Sequence, residues 1–116
     1  MANKVTWFEV LGKDGQKLKG FFGELFGWQF KETPGMDYGM LDVAATGIGG
    51  GIGSDPKGAA SWTTFYVSVE DITATLDKAK RLGGTVLMPV TKLPDVTIAV
   101  FADPEGHPVG LVQQKS

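Results

Sequence analysis

Residues 62–113 read WTTFYVSVEDITATLDKAKRLGGTVLMPVTKLPDVTIAVFADPEGHPVGLVQ, and their reading decides the fold. The opening residues alternate, with Phe65, Val67 and Val69 on one face and Trp62, Thr64, Tyr66 and Ser68 on the other, the pattern of a half-buried strand. Asp71 is placed to cap a helix in which Ile72, Leu76, Ala79 and Leu82 recur at helical spacing, and Gly83 and Gly84 supply a left-handed stop. Three β-rich pieces follow, TVLMPV, VTIAVFA and VGLVQ, the last two parted by a DPEG turn. The segment PVTKLPDVT, with two prolines, reads as a loop. This half is therefore strand, helix, three strands.

The first half repeats that order. VTWFEVL (5–11) alternates, with Phe8 and Val10 on one face and Trp7 and Glu9 on the other. Asp14 is a candidate cap. Leu18, Phe21, Phe22, Leu25 and Phe26 then form an apolar helical stripe, expected to be core, that Gly27 ends. WQFKE, YGMLDV and the glycine-rich GIGGGIG read as three short strands, the last weak because glycine disfavours strands. The chain is thus one domain over residues 1–116, an internal repeat of two modules at about 4–53 and 62–114 with a linker at about 54–61. Neither copy is large enough to bury a sheet alone.

Composition narrows the function classes. A net charge of −2 gives no electrostatic case for nucleic acid or an anionic membrane. The chain has no cysteine, which excludes disulfides, thiolate chemistry and the usual zinc fingers. No apolar run approaches the roughly 20 residues of a membrane span, and MANKVTW lacks the apolar core of a signal peptide. A soluble cytoplasmic protein is expected. GIGGGIG matches neither phosphate-loop pattern and precedes no helix, so close backbone approach or flexibility explains it better. The single histidine, His107, sits in a turn and reads as solvated.

WFEV, GFFGELFGW, YVSVEDITATLDKAKRLGG and VFADPEGHPVGLVQ together resemble the glyoxalase/bleomycin resistance protein/dioxygenase (vicinal oxygen chelate) superfamily over nearly the whole chain. The resemblance implies an α+β fold, with two βαβββ modules in one chain forming a curled mixed or antiparallel sheet cleft, and a homodimer. It also implies metal-ligand positions at Trp7, Thr64, Gly110 and either Gly50 or Gly51. These residue types cannot hold a divalent metal through their side chains, and one histidine cannot make a two-histidine, one-carboxylate site within one chain. A carboxylate pair of Glu9 and Asp42 is the remaining metal option. The expectation is no metal and no cofactor.

By strand alternation the cleft face receives Trp7 and Glu9 from the first module and Trp62, Thr64 and Tyr66 from the second, aromatic faces beside a few polar groups that suit a flat or partly cationic organic molecule. Glu9 is the charge-recognising group and a weaker candidate for a catalytic base, since burial would raise its pKa. The same aromatics would also serve to plug the cleft. Three classes stay open: a metal-free small-molecule binder, a glyoxalase-like lyase, isomerase or dioxygenase, and a structural or regulatory dimer.

Overall fold

The structure is a computed structural model and describes residues 2–55 and 61–114. Packing divides the chain into two compact units, Trp7–Thr63 and Met1–Thr6 with Thr64–Ser116. The division cuts both opening strands, so Trp62 and Thr63 belong to the first unit and Val5 and Thr6 to the second.

In the first unit β1 (Val5–Gly12) runs parallel to β4 (Gly50–Ser54), with Phe8 opposite Gly50 and Glu9 opposite Gly51. Outward from β4 lie β3 (Tyr38–Leu41) and then β2 (Lys31–Glu32), each antiparallel to its neighbour. Helix α1 (Gly15–Phe26) begins where the Asp14 carboxylate accepts the Lys17 N–H at 3.1 Å and stops at Gly27, whose φ of 72° is left-handed. YGMLDV does not continue as a strand. Asp42 accepts the Ala44 N–H at 2.8 Å and starts a one-turn helix, α2 (Val43–Thr46).

The second unit repeats the plan. Here β5 (Trp62–Ser68) is parallel to β8 (Pro108–Gln114), followed outward by antiparallel β7 (Val96–Ala102) and β6 (Thr85–Lys92). Helix α3 (Ile72–Arg81) is capped by Asp71, which accepts the Ala74 N–H at 3.0 Å. Its Ile72 and Leu76 pack with Val69, Ala99 and Leu111 in the core. In both units the first and last strands are parallel and the other pairs antiparallel, so the strand–helix–three-strand repeat of the sequence is the observed α+β fold.

Three expectations are corrected. PVTKLPDVT is not a loop: β6 continues to Lys92 and turns back at once, with Lys92 opposite Thr97. Shifts in register between Val86 and Thr91, and Pro89 among them, blunt it as an edge. Leu82, counted in the α3 stripe, ends the helix and is 70% exposed. The α1 stripe is not core either, since Phe21, Leu25 and Phe26 are each more than half exposed and Phe22 is half-buried. The helix is turned so that Gly15 and Lys19 face inward. A Cβ on Gly15 would collide with Asp37 and Ser54, so the first turn lies hard against β4. Trp28 stacks with Phe22 and tilts against Phe8 and Phe26, giving the aromatic residues a cluster of their own.

Lys19 explains the rotation. Only 5% exposed, its ammonium lies 2.6 Å from Glu32 and 3.0 Å from Asp37. Ser54 donates to Asp37 at 2.6 Å and accepts the Gly15 N–H at 2.7 Å. A buried ammonium needs such partners. Burial pushes the Lys19 pKa down, but the hydrogen bonds to Glu32 and Asp37 outweigh it and leave it above the ordinary value. The Ser54 hydroxyl, followed by Lys19, holds the Asp37 pKa below the ordinary value. Among the described residues no helix is long and apolar enough to cross a membrane.

Two predictions test this packing. Ile52 is fully buried, so Ile52→Ala should cost about 2–5 kcal/mol in urea unfolding, whereas Phe21→Ala should cost less than about 1 kcal/mol; the reverse order would restore the apolar-stripe orientation of α1. The lowered Asp37 pKa stabilises the fold above the pKa of the unfolded aspartate, and the contribution is lost as pH falls through the folded value. Asp37→Asn should therefore destabilise by about 1–3 kcal/mol at neutral pH, and its unfolding curve should converge on that of the wild type in acid. A gap that persists unchanged in acid would remove Asp37 ionisation as the cause.

Candidate functional site

Glu9 is 8% exposed in the middle of β1, a carboxylate withdrawn from water. Its Oε1 accepts the Trp62 indole N–H at 3.1 Å, and its Oε2 accepts the Tyr38 hydroxyl at 3.0 Å. The Tyr38 oxygen in turn accepts the Trp7 indole N–H at 3.2 Å. Strand alternation places Trp7 and Glu9 on one face of β1, and Tyr38 reaches them across β4. Three residues picked from the sequence, Trp7, Glu9 and Trp62, are thus joined in one hydrogen-bonded chain within one compact unit.

Tyr38 is the member that the sequence reading missed. Its signal was indirect: a tyrosine on the strand beside the glycines of GIGGGIG. A Cβ at Gly51 would collide with the Tyr38 ring and hydroxyl, and one at Gly53 with the backbone of Asp37 and Tyr38. The glycines of β4 are a slot that admits β3 and its tyrosine. Gly50 makes the same allowance for the Phe8 ring. Close backbone approach, one of the two readings of this segment, accounts for it.

Thr64 and Tyr66 lie in the other compact unit, and both are buried. The Thr64 hydroxyl donates to the Pro108 carbonyl at 2.6 Å, tying β5 to the start of β8. The Tyr66 ring lies over its register partner Gly110, where a Cβ would collide with it.

The positions that family resemblance assigns to metal ligands do not fit a metal ion. Gly50, Gly51 and Gly110 present no donor, and the space a side chain would take is held by the rings of Phe8, Tyr38 and Tyr66. Trp7 offers only an N–H donor, directed at Tyr38. Asp42, weighed with Glu9 as a carboxylate pair, caps α2 instead. Among the described residues no group of three or more histidine, cysteine or acidic side chains could hold a metal.

Other features lie apart from this chain of hydrogen bonds. An open depression of about 490 Å³ is lined by Gly27, Gln29, Phe30, Lys31, Met40, Asp42 and Ala45, none of them a member of it. His107 is an exposed turn residue whose Nδ1 is 3.0 Å from Asp103. The His107 backbone N–H, with smaller help from its side chain, holds the Asp103 pKa below the ordinary value.

Comparison with known proteins agrees with the fold. A protein named "Putative glyoxylase CFP32" from Mycobacterium bovis is 32% identical over 118 aligned positions, covering 93% of this chain and 44% of that protein, and its Mycobacterium tuberculosis counterpart matches to the same extent. The chain spans less than half the length of these curated relatives. A solved glyoxalase/bleomycin resistance protein/dioxygenase superfamily member from Vibrio splendidus superposes with a TM-score of 0.65 at 19% identity, covering 97% of this chain and all of the other. Methylmalonyl-CoA epimerase from Mycobacterium tuberculosis superposes with a TM-score of 0.64 at 11% identity, covering 97% and 88%. The family model for this superfamily matches residues 4–111. With the repeat, the topology and these matches in agreement, the chain belongs to the glyoxalase/bleomycin resistance protein/dioxygenase superfamily.

Proposed function

We propose that this protein is a metal-free small-molecule binder whose ligand is a flat organic cation. The observation that carries the reading is the Glu9 carboxylate, nine-tenths buried and met by the Trp62 indole and the Tyr38 phenol. A buried negative charge among aromatic rings favours a delocalised cation, which gains from the carboxylate and from the ring faces together. Trp7 and Trp62 are the stacking surfaces and Glu9 the charge contact, and the same arrangement disfavours anionic ligands. The homodimer implied by family membership and a cytoplasmic location belong to this reading.

The test is calorimetric titration of the full chain with thioflavin T, a planar aromatic cation, and with the anion 1-anilinonaphthalene-8-sulfonate. Glu9→Gln keeps the shape of the site: the amide oxygen still accepts from Trp62, and the amide nitrogen donates to the Tyr38 oxygen. It should weaken the cation by about 1–3 kcal/mol and leave the thermal midpoint near that of the wild type. Equal affinity for both dyes, unmoved by Glu9→Gln, would sink the reading.

The competing reading is a metal-dependent glyoxalase-like enzyme; the mycobacterial relatives are named putative glyoxylases. It is separated by metal analysis of the purified protein after incubation with nickel, zinc, manganese or ferrous iron and gel filtration. We expect no stoichiometric metal; one bound ion per chain would favour the enzyme.

A further inference from the structure

We infer that the exposed face of α1 is a contact between two copies of this chain, paired antiparallel across Gly20. This goes beyond the binding reading, which gives its homodimer no contact face, and it is tested without a ligand. Lys17, Gly20, Phe21, Glu24 and Leu25 stand at helical positions i, i+3, i+4, i+7 and i+8. They share the side of α1 opposite the inward-facing Gly15 and Lys19, and all five are exposed. Phe21 and Leu25 are adjacent apolar side chains that a lone chain leaves more than half in water. Gly20 stands beside them. Glycine inside a helix is less stable than alanine, so its presence asks for a reason. The other two glycines of α1 have one within the chain: a Cβ would crowd Asp37 and Ser54 at Gly15 and the Trp28 carbonyl at Gly23. A Cβ on Gly20 would meet nothing within 4 Å. A second helix crossing at Gly20 supplies the reason, because a bare backbone lets two helix axes approach closely.

Charge selects the occupant and its direction. Lys17 and Glu24 lie on either side of Gly20 and Phe21, and among the described residues neither forms an ion pair. A twofold axis passing between Gly20 and Phe21 sets Lys17 of each protomer opposite Glu24 of the other, and Phe21 of each over Gly20 of the other. The face is then complementary to itself, as a twofold contact requires. A parallel pairing would set lysine against lysine and glutamate against glutamate. A 12-residue helix is about 18 Å long, too short to bury by itself the roughly 800 Å² per partner of a standard interface. The dimer is therefore expected to depend on concentration.

The experiment is sedimentation velocity of the full chain over a micromolar-to-millimolar concentration series. The wild type should pass from monomer to dimer. Gly20→Leu and Phe21→Glu should each weaken dimerisation by at least about tenfold. At the dilute end, where the chain is monomeric, Gly20→Leu should leave the thermal midpoint at or above that of the wild type, because its side chain enters open space and favours the helix. Lys17→Glu alone and Glu24→Lys alone should each weaken dimerisation by about fivefold, and the double exchange should return it to within about twofold of the wild type. A wild type that stays monomeric throughout overturns the inference and the homodimer with it. A dimer left intact by Gly20→Leu and Phe21→Glu uses another face and overturns the inference alone. Single exchanges that the double exchange does not restore overturn the antiparallel pairing, and the inference falls with it.

Discussion

The Trp7–Thr63 unit depends on a strand that gives up its side chains. Gly50, Gly51 and Gly53 let Phe8, Tyr38 and the β3 backbone approach β4 more closely than any other residue type would permit. Glycine weakens a strand by leaving nothing to pack and by adding freedom to the unfolded chain. Here neighbouring rings provide the packing that the strand lacks. The parallel pairing with β1 and the antiparallel pairing with β3 hold it from both sides. Without the slot, Tyr38 has no route to Glu9.

The same unit contains two buried charges handled in different ways. Lys19 is met by two carboxylates, and its environment is ionic. The donors that reach Glu9 from Trp62 and Tyr38 are neutral aromatic groups. The first arrangement locks a helix against a sheet through complementary charge. The second sets neutral hydrogen-bond donors on both oxygens of a carboxylate, which orients it.

Much of this was legible in the sequence. The two helices, their aspartate caps and the glycine after α1 follow from local rules, and the repeat follows from order and length. Strand alternation put Trp7 and Glu9 on one face, and the structure keeps them linked. The rotation of α1 was not legible, because an apolar stripe of Phe21, Leu25 and Phe26 looks like a core face until Lys19 is known to have partners on β2 and at the start of β3. Those partners are 13 and 18 residues away along the chain, beyond the reach of helical periodicity. Tyr38 was hidden for a similar reason. Its importance comes from which glycine it faces, and register between strands is not written in either strand alone. The turn after Lys92 was obscured by Pro94, a residue as common in hairpin turns as in long loops.

Trp62 opens the second copy of the sequence repeat, yet its indole serves a carboxylate of the first. The copies therefore share ownership of the site at the level of the gene. A half-length ancestor that ended before this tryptophan would have carried Glu9 with one donor fewer, and could have gained it only by fusion or by borrowing from a second molecule. Fragment complementation has the same geometry. If the chain is opened ahead of Trp62, the carboxylate goes with one piece and its indole with the other, so recovery of the Trp62 signal on mixing the two reports their reunion.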